Sequence, residues 1–443
     1  MAAPAHGLAS TRNPDHRVSW AEGVLHSLAP DGGLYVPAAI EPLPASFFEA
    51  WRGLSLPRMT STVLGHVLGG AVPQPDLDRM CDEALDFPVP LVPVAPGISV
   101  LELFHGPTLA FKDFGARLMA RLMAWFGRER HQRLVVLVAT SGDTGGAVAH
   151  AFHGVAGTEV VVLYPSGRVS PLQEKQLTTL GGNVAAIEVA GSFDDCQRMV
   201  KAAFADAVLA AACGLASANS INIARLLPQM SYYLEASRSF PDGAPPVFVV
   251  PSGNFGNLTA GLLAARLGMP SRHFVAATNA NDTVPRYLTS GCYKPTASVA
   301  TISNAMDVGA PSNFERMEFL FGKSPAAMAA AVAGHSAGDE ATRDAMRRVF
   351  HDHRYQLDPH TAVGWLAAEA WRADHPDDAT VVLATAHASK FLGICEEVFG
   401  KDAVAVPERL ARLAGRPKLA VPMAAEADAL KAWLRGRFVP PQP

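Results

Sequence analysis

The sequence predicts an α/β fold with a largely parallel sheet. Short, continuous runs of β-branched and aliphatic residues recur along the 443-residue chain, with amphipathic helical patterns between them. Three of these runs also pass directly into polar loops rich in Gly, Ser, Asn or Thr. In open α/β sheets such loops at strand carboxyl ends build the ligand site.

The strand candidates are LVVLVAT (134–140), VVVLY (160–164), VFVVP (247–251), FVAAT (274–278) and VVLATA (381–386). Each is bounded by Gly, Ser, Pro or Asn, as a buried strand should be. After Lys112, the residues Phe114, Leu118, Met119, Leu122 and Phe126 fall on one helical face. The stretch 192–212, SFDDCQRMVKAAFADAVLAAA, reads as one helix capped by Ser192 or Asp194. The proline-rich FPVPLVPVAPG (87–97) reads as a connection from an N-terminal domain, 1–95, to the body of the protein, 96–443. SRSFPDGAPP (237–246) is a turn-rich loop that could mark a crossing between two lobes, and the final VPPQP reads as a frayed tail.

Composition narrows the function. Hydrophobic residues make up 49% and charged residues 18%, so a folded chain with a large core is expected. A net charge of −4 without any Lys/Arg run offers no basis for nucleic-acid binding. The five cysteines, Cys81, Cys196, Cys213, Cys292 and Cys395, form no CxxC pair. Neither a zinc site nor a disulfide framework is expected, and a reducing cytosol suits them. His351, His353 and His360 match no zinc-ligand spacing. The first twenty residues contain no apolar signal region, and no apolar stretch is long enough to span a bilayer. A cytoplasmic protein is expected.

Two of these loops and a lysine carry the chemistry, and the third loop, HASKFLG (387–393), follows VVLATA. SGNFGN, comprising Ser252, Gly253, Asn254, Phe255, Gly256 and Asn257, follows a strand and precedes a helical pattern. Its glycines would let main-chain amides approach a phosphate at the helix start. An ordinary tight βα turn favours the same residue types, so both readings stand. The loop is neither a Walker A sequence nor a GxGxxG fingerprint. SGDTGG, from Ser141 through Gly142, Asp143 and Thr144, could bind a carboxylate with hydroxyls and amides, or could simply cap its helix through Ser141 or Asp143. Lys112 lies in HGPTLAFKDFG, between Phe111 and Phe114. It is either a surface lysine at a helix start or a lysine that holds a cofactor. Only a neutral amine attacks a carbonyl, and apolar neighbours with partial burial favour that form.

At this point the motifs resemble a known family. LELFHGPTLAFKDFG, VATSGDTGGAVAHAF, SPLQEKQLTTLGGN, SANSINIARLLPQ, PSGNFGNLTAG, AATNANDTVPR, SNAMDVGAPSN and DPHTAVG occur in one order. Together with STR…WAEGVLHSLAPDGGLYVP near the start, they resemble threonine synthases of the long bacterial and fungal form, from about residue 10 to 410. The resemblance implies a pyridoxal 5′-phosphate (PLP) enzyme of fold type II, similar to the tryptophan synthase β subunit. It would have a smaller lobe over about 113–215, a larger one over about 216–410, and an N-terminal domain. It implies conversion of O-phospho-L-homoserine and water to L-threonine and phosphate. Lys112 would carry PLP as an internal aldimine, residues 252–257 would hold its phosphate, and Thr385 would face the pyridine nitrogen. Ser141, Gly142, Asp143 and Thr144 match the loop that binds the substrate carboxylate and approaches the cofactor 3′-oxygen.

An aspartate beside a carboxylate must be protonated or paired. For the substrate phosphate the motif context offers Arg225, Asn222, Lys175, Ser170, His105 and Thr108. Arg225 could equally be a surface helix arginine. His387, next to Thr385, could orient it or serve the fold. A monomer or homodimer without an effector domain is expected. The alternatives are a phospholyase or a serine/threonine dehydratase on the same fold, and a non-catalytic relative.

Overall fold

A computed structural model of the chain describes residues 7–129, 133–140 and 142–439. Its strands are β1 (Leu8–Ser10), β2 (Arg17–Val18), β3 (Tyr35–Pro37), β4 (Leu91–Ala95), β5 (Ile98–Glu102), β6 (Leu134–Ala139), β7 (Thr158–Pro165), β8 (Val184–Ala190), β9 (Leu215–Ala216), β10 (Val247–Pro251), β11 (His273–Thr278), β12 (Val332–Ser336), β13 (Thr380–Ala384) and β14 (Ala420–Ala424). They form three sheets. A small antiparallel one has the order β2-β1-β3. A larger one runs β12-β11-β10-β13-β5-β4 and is parallel except at β4. The third, β14-β8-β7-β6-β9, is parallel throughout.

All five anticipated strands are present, and each is central or near-central in a parallel sheet covered on both faces. That is why they read as unbroken apolar runs. The proline-rich stretch is a correction. Leu91–Ala95 is not a bare connection but the antiparallel edge strand of the larger sheet, with a bulge between Pro93 and Ala95. An edge position tolerates proline's missing N–H. The single helix expected over 192–212 is two helices, Phe193–Ala205 and Ala207–Cys213. Ser192 and Asp195 form a reciprocal capping box on the first. Asp206 ends it and caps the second by accepting from the Leu209 N–H. Cys196 and Cys213 lie in the core.

The C-terminal part returns to the third sheet, which the sequence did not announce. β14 pairs with β8, and the helix Ala427–Phe438 packs on the helices Phe193–Ala205 and Ala207–Cys213, placing Leu430 and Leu434 in the same core cluster as Val135, Leu137 and Val161. β14 contains Pro422 and half-exposed positions, so it lacks the apolar run that marks a buried strand. Among the described residues no helix is long and apolar enough to cross a membrane.

The helix Lys112–Gly127 links the two parallel sheets and begins with the lysine singled out above. Its buried face holds Phe114, Leu118, Met119 and Leu122, as the spacing predicts. The helices Trp20–His26 and Gln74–Ala84 of the N-terminal region pack against it, so that region supports the lysine from behind. A fully buried arginine, Arg316, fastens the same region to the body. It donates to the carbonyls of Tyr35 and Ile221 at 2.9 and 2.6 Å and to Asn313 Oδ1 at 2.6 Å. Arg316→Ala should therefore cost about 3 kcal/mol or more, since it strands several buried acceptors at once. Urea unfolding measures this, and a loss under about 1 kcal/mol would mean that water replaces the guanidinium.

Candidate active site

The loop before Lys112 is stitched to the end of β13. The Phe111 N–H donates to the Thr385 carbonyl at 2.9 Å, and the His387 N–H donates to Leu109 at 3.1 Å. Ala110 and Ala386 form a β-bridge between them. Leu109 is held at φ +60°, a conformation a branched residue adopts only under external constraint. Asp113, the next residue after Lys112, supplies that constraint. Its buried carboxylate accepts from the Thr108 N–H and Oγ1, both at 2.8 Å. Burial outweighs these hydrogen bonds and pushes Asp113 up to about 6.

Lys112 itself is 17% exposed, with Nζ 5.5 Å from the Phe111 ring centroid and 3.6 Å from Asp143 Oδ2. Phe114 turns the other way, into the core against Phe87 and Tyr232. Burial lowers the Lys112 amine, Asp143 opposes the shift, and the cations Lys390 and Arg225 reinforce it. The surface-lysine reading is thus replaced by a half-desolvated amine.

Ser141 lies outside the described residues. Gly142 (φ +151°) and Asp143 open the helix Asp143–Phe152. Asp143 does not cap that helix. Thr140 Oγ1 takes the role, accepting from the N–H groups of Gly142 and Gly145 at 3.0 and 2.9 Å. The Asp143 carboxylate points instead at two lysines. Oδ1 receives Lys390 Nζ at 2.7 Å and Gln173 Nε2 at 2.9 Å, while Oδ2 faces Lys112. Burial would raise Asp143, yet Lys390 and Lys112 prevail and hold it below the usual carboxylate range. Thr144, half-buried, follows Asp143 in the first turn of the same helix.

β10 runs beside β13, so residues 252–257 open at the same sheet end as Thr385. Ser252 Oγ donates to Asn257 Oδ1 at 3.1 Å, and Asn257 Nδ2 closes the turn on the Pro251 carbonyl at 2.8 Å. Phe255 stands at φ +60° and leads into the helix Gly256–Arg266. A side chain at Gly253 would press on Ala305 and Met306, and Gly256 faces Asn313. The amides of Gly253, Asn254, Phe255 and Gly256 donate to no backbone carbonyl among the described residues. Asn254 is spent outward, its Oδ1 accepting from Ser312 Oγ at 3.1 Å. Open amides at a helix start fit a phosphate. Thr385 is buried, and its hydroxyl makes no hydrogen bond among the described residues.

The remaining candidates divide. Arg225 is not a surface residue. It is 5% exposed, and only Nη1 finds a partner among the described residues, the Ala218 carbonyl at 2.7 Å. Gly115, in the lysine-bearing helix, lets the Arg225 backbone approach, since a Cβ there would lie 2.4 Å from its carbonyl oxygen. Asn222 has no free donor for a substrate. Its amide is used on the Val24 carbonyl and Ser27 Oγ at 2.8 and 2.9 Å, and its oxygen caps Ala224. Thr108 is engaged by Asp113. Ser170 caps the helix Pro171–Thr178 and orients Gln173. Lys175 reaches the Arg416 carbonyl at 2.5 Å. His105 pairs through Nε2 with Glu102 at 2.7 Å. His387 caps the short turn Ala388–Phe391, with Nδ1 accepting from the Ser389 N–H. His360 is buried between Asp358 and the Ala305 N–H, which steadies the segment over Gly253.

Lys390, Gln173, Gln176 and Asp113 were missed from sequence. Asp113, Gln173 and Gln176 lie inside motifs already quoted and Lys390 in the loop after β13, but nothing in their spacing marks them. Lys390 is recognisable only as the one lysine in the loop after β13.

A desolvated amine beside an ionised carboxylate, and a glycine-containing turn with open amides at the end of a parallel strand, describe a pyridoxal-phosphate-dependent enzyme. The family model described as "Pyridoxal-phosphate dependent enzyme" matches residues 94–386, flanked by "Threonine synthase N terminus" at 8–85 and "Threonine synthase, C-terminal" at 361–434. The chain is 43% identical to the threonine synthase of Serratia marcescens over 97% of this chain and 99% of that one. It superposes on PLP-bound threonine synthase from Brucella melitensis with a TM-score of 0.92 at 36% identity, covering 98% and 99% of the two chains. For the Escherichia coli threonine synthase structure the values are 0.87, 40%, 97% and 99%. The chain belongs to the threonine synthase family, and its cofactor is pyridoxal phosphate.

The lowered Lys112 amine has a measurable consequence. The rate at which the PLP-free chain captures PLP should reach half its maximum below about pH 10.4, the value of a free lysine. A midpoint at or above that pH would mean that burial does not govern the amine.

Proposed function

We propose that the chain acts as a threonine synthase through Lys112, converting O-phospho-L-homoserine and water to L-threonine and phosphate. The observation that carries the residue assignment is the half-buried amine of Lys112 facing a carboxylate already ionised by a second lysine. Residues 252–257 hold the PLP phosphate through their open amides, Lys112 Nζ holds its aldehyde carbon, and Thr385 offers a neutral hydroxyl to the ring nitrogen. Bound there, the cofactor supplies an electron sink for negative charge at the substrate Cα.

The chain's own groups do the rest. As a neutral amine, Lys112 Nζ would take the Cα proton and return it at the end, and in the simplest scheme would pass a Cβ proton to Cγ, while water supplies the hydroxyl at Cβ and the proton the phosphate carries away. The helix start at Gly142, Asp143 and Thr144, with Ser141 before it, receives the substrate carboxylate. Asp143 does not repel that carboxylate in full, because Lys390 and Gln173 already occupy one of its oxygens. Arg225, with donors to spare, receives the substrate phosphate and stabilises it as it leaves Cγ. His105 flanks the same loop. The burial of Asp143 and Lys390 beside Lys112 would limit the access of stray water to the substrate Cα. A cytoplasmic location and a monomeric or homodimeric state belong to this proposal, and the unpaired cysteines suit a reducing compartment.

Assaying phosphate and threonine from O-phosphohomoserine, with wild type and Lys112→Ala side by side, tests the reading. Equal amounts of both products from wild type and neither from the variant are expected. Phosphate with 2-oxobutyrate would keep the fold and cofactor but make the enzyme a lyase. Arg225→Ala should raise KM for phosphohomoserine about 10-fold or more while PLP stays bound, as loss of a charge-assisted contact predicts. An unchanged KM would remove Arg225 from the phosphate site.

A further inference from the structure

We infer that Lys390 is a positioning residue that anchors Asp143 as an oriented anion and thereby sets the charge felt by Lys112. The inference rests on the reading of Lys112 and Asp143 as parts of the PLP site. Lys390 has no exposed side-chain surface. Its Nζ meets three acceptors from three separate segments: the Thr108 carbonyl at 2.7 Å, Gln176 Oε1 at 3.1 Å and Asp143 Oδ1 at 2.7 Å. Three acceptors match the three donors of an ammonium group. Burying such a group costs several kcal/mol unless it is paired and fully bonded, and here it is both.

The geometry divides the Asp143 carboxylate in two. Oδ1 is saturated by Lys390 and Gln173, and only Oδ2 is left toward Lys112, at 3.6 Å. Ser170 holds Gln173 in place, so a second segment backs the same oxygen. The contact with Asp143 ties Lys390 electrically to the reacting amine.

The groups facing this cluster are few. Lys112 feels Asp143, Lys390 and Arg225. Lys390 is also faced by Asp113 from the lysine-bearing helix and by His150 from the helix of Asp143. Without Lys390, the Asp143 charge would be answered chiefly by Lys112, which would hold its proton more tightly. Without Asp143, three cations would face one another, and Lys112 would release its proton more readily.

The test uses four full-length holoenzymes: wild type, Lys390→Met, Asp143→Asn and the double variant. The pH titration of the visible absorbance of bound PLP is read for each, together with thermal unfolding. The midpoint should move up in Lys390→Met and down in Asp143→Asn, each by about 1–3 pH units, as expected for charges within a few ångströms. It should return close to wild type in the double variant. Tm should fall in each single variant and recover in the double, because an unpaired buried charge is removed with its partner. A wild-type midpoint in Lys390→Met, shifts of the same sign, or a double variant no more stable than the worse single variant would overturn the inference. If Lys390→Met does not fold, the double variant decides. Recovery of fold and midpoint supports the pairing, and a double variant that also fails to fold overturns it. Failure of the underlying PLP reading looks different, since wild type itself would then take up no PLP.

Discussion

The arrangement depends on one buried carboxylate shared by two lysines. Asp143 begins the helix after β6, Lys390 sits in the turn after β13, and Lys112 ends the loop after β5. The first belongs to one parallel sheet and the other two follow strands of the other. An uncompensated charge at any of the three positions would cost several kcal/mol, so each loop is held where it can meet the others. Gln173 and Gln176, from one short helix, fill the remaining hydrogen-bonding positions on Asp143 and Lys390.

Around that pair the chain accepts strain and close approach. Leu109 and Phe255 both adopt left-handed backbone conformations, one before the lysine and one at the start of the phosphate cradle. Each is over-determined by its neighbours: Asp113 and the β13 end fix the first, and Ser252, Asn257 and Asn313 close the second. The buried charges are also unequal. Lys112, Lys390 and Arg225 outnumber the carboxylates Asp143 and Asp113. A site with surplus buried cations suits a substrate carrying both a phosphate and a carboxylate.

The N-terminal region acts from a distance. Its helices brace the lysine-bearing helix, and Arg316 and Asn222 tie it to the segments that carry Ser220, Arg225 and Asn313. Asn222 lies in the SANSINIARLLPQ motif and Arg316 just past SNAMDVGAPSN, and the hydrogen bonds of both point into the scaffold. Asn222 shows how a motif polar residue that looks suited to a ligand can be consumed by an inter-segment contact.

Local pattern determined much of this protein. The apolar runs at 134–140, 160–164, 247–251, 274–278 and 381–386 became strands because burial on both faces of a parallel sheet demands such runs. The SGNFGN and SGDTGG loops stood out because strand-end loops of unusual composition announce themselves in sequence, Lys112 stood out by its phenylalanine neighbours, and a role for Thr385 came only from the family resemblance. The edge strand at 91–95, the helix break at Asp206 and the return of β14 were not legible, since prolines, a mid-run aspartate and a mixed strand gain meaning only from what lies beside them. The pairing of Asp143 was decided by tertiary structure alone. Lys390 lies 247 residues further along the chain, no spacing rule connects them, and only the tertiary fold, which brings the loops after β6 and β13 together, sets the charges 2.7 Å apart.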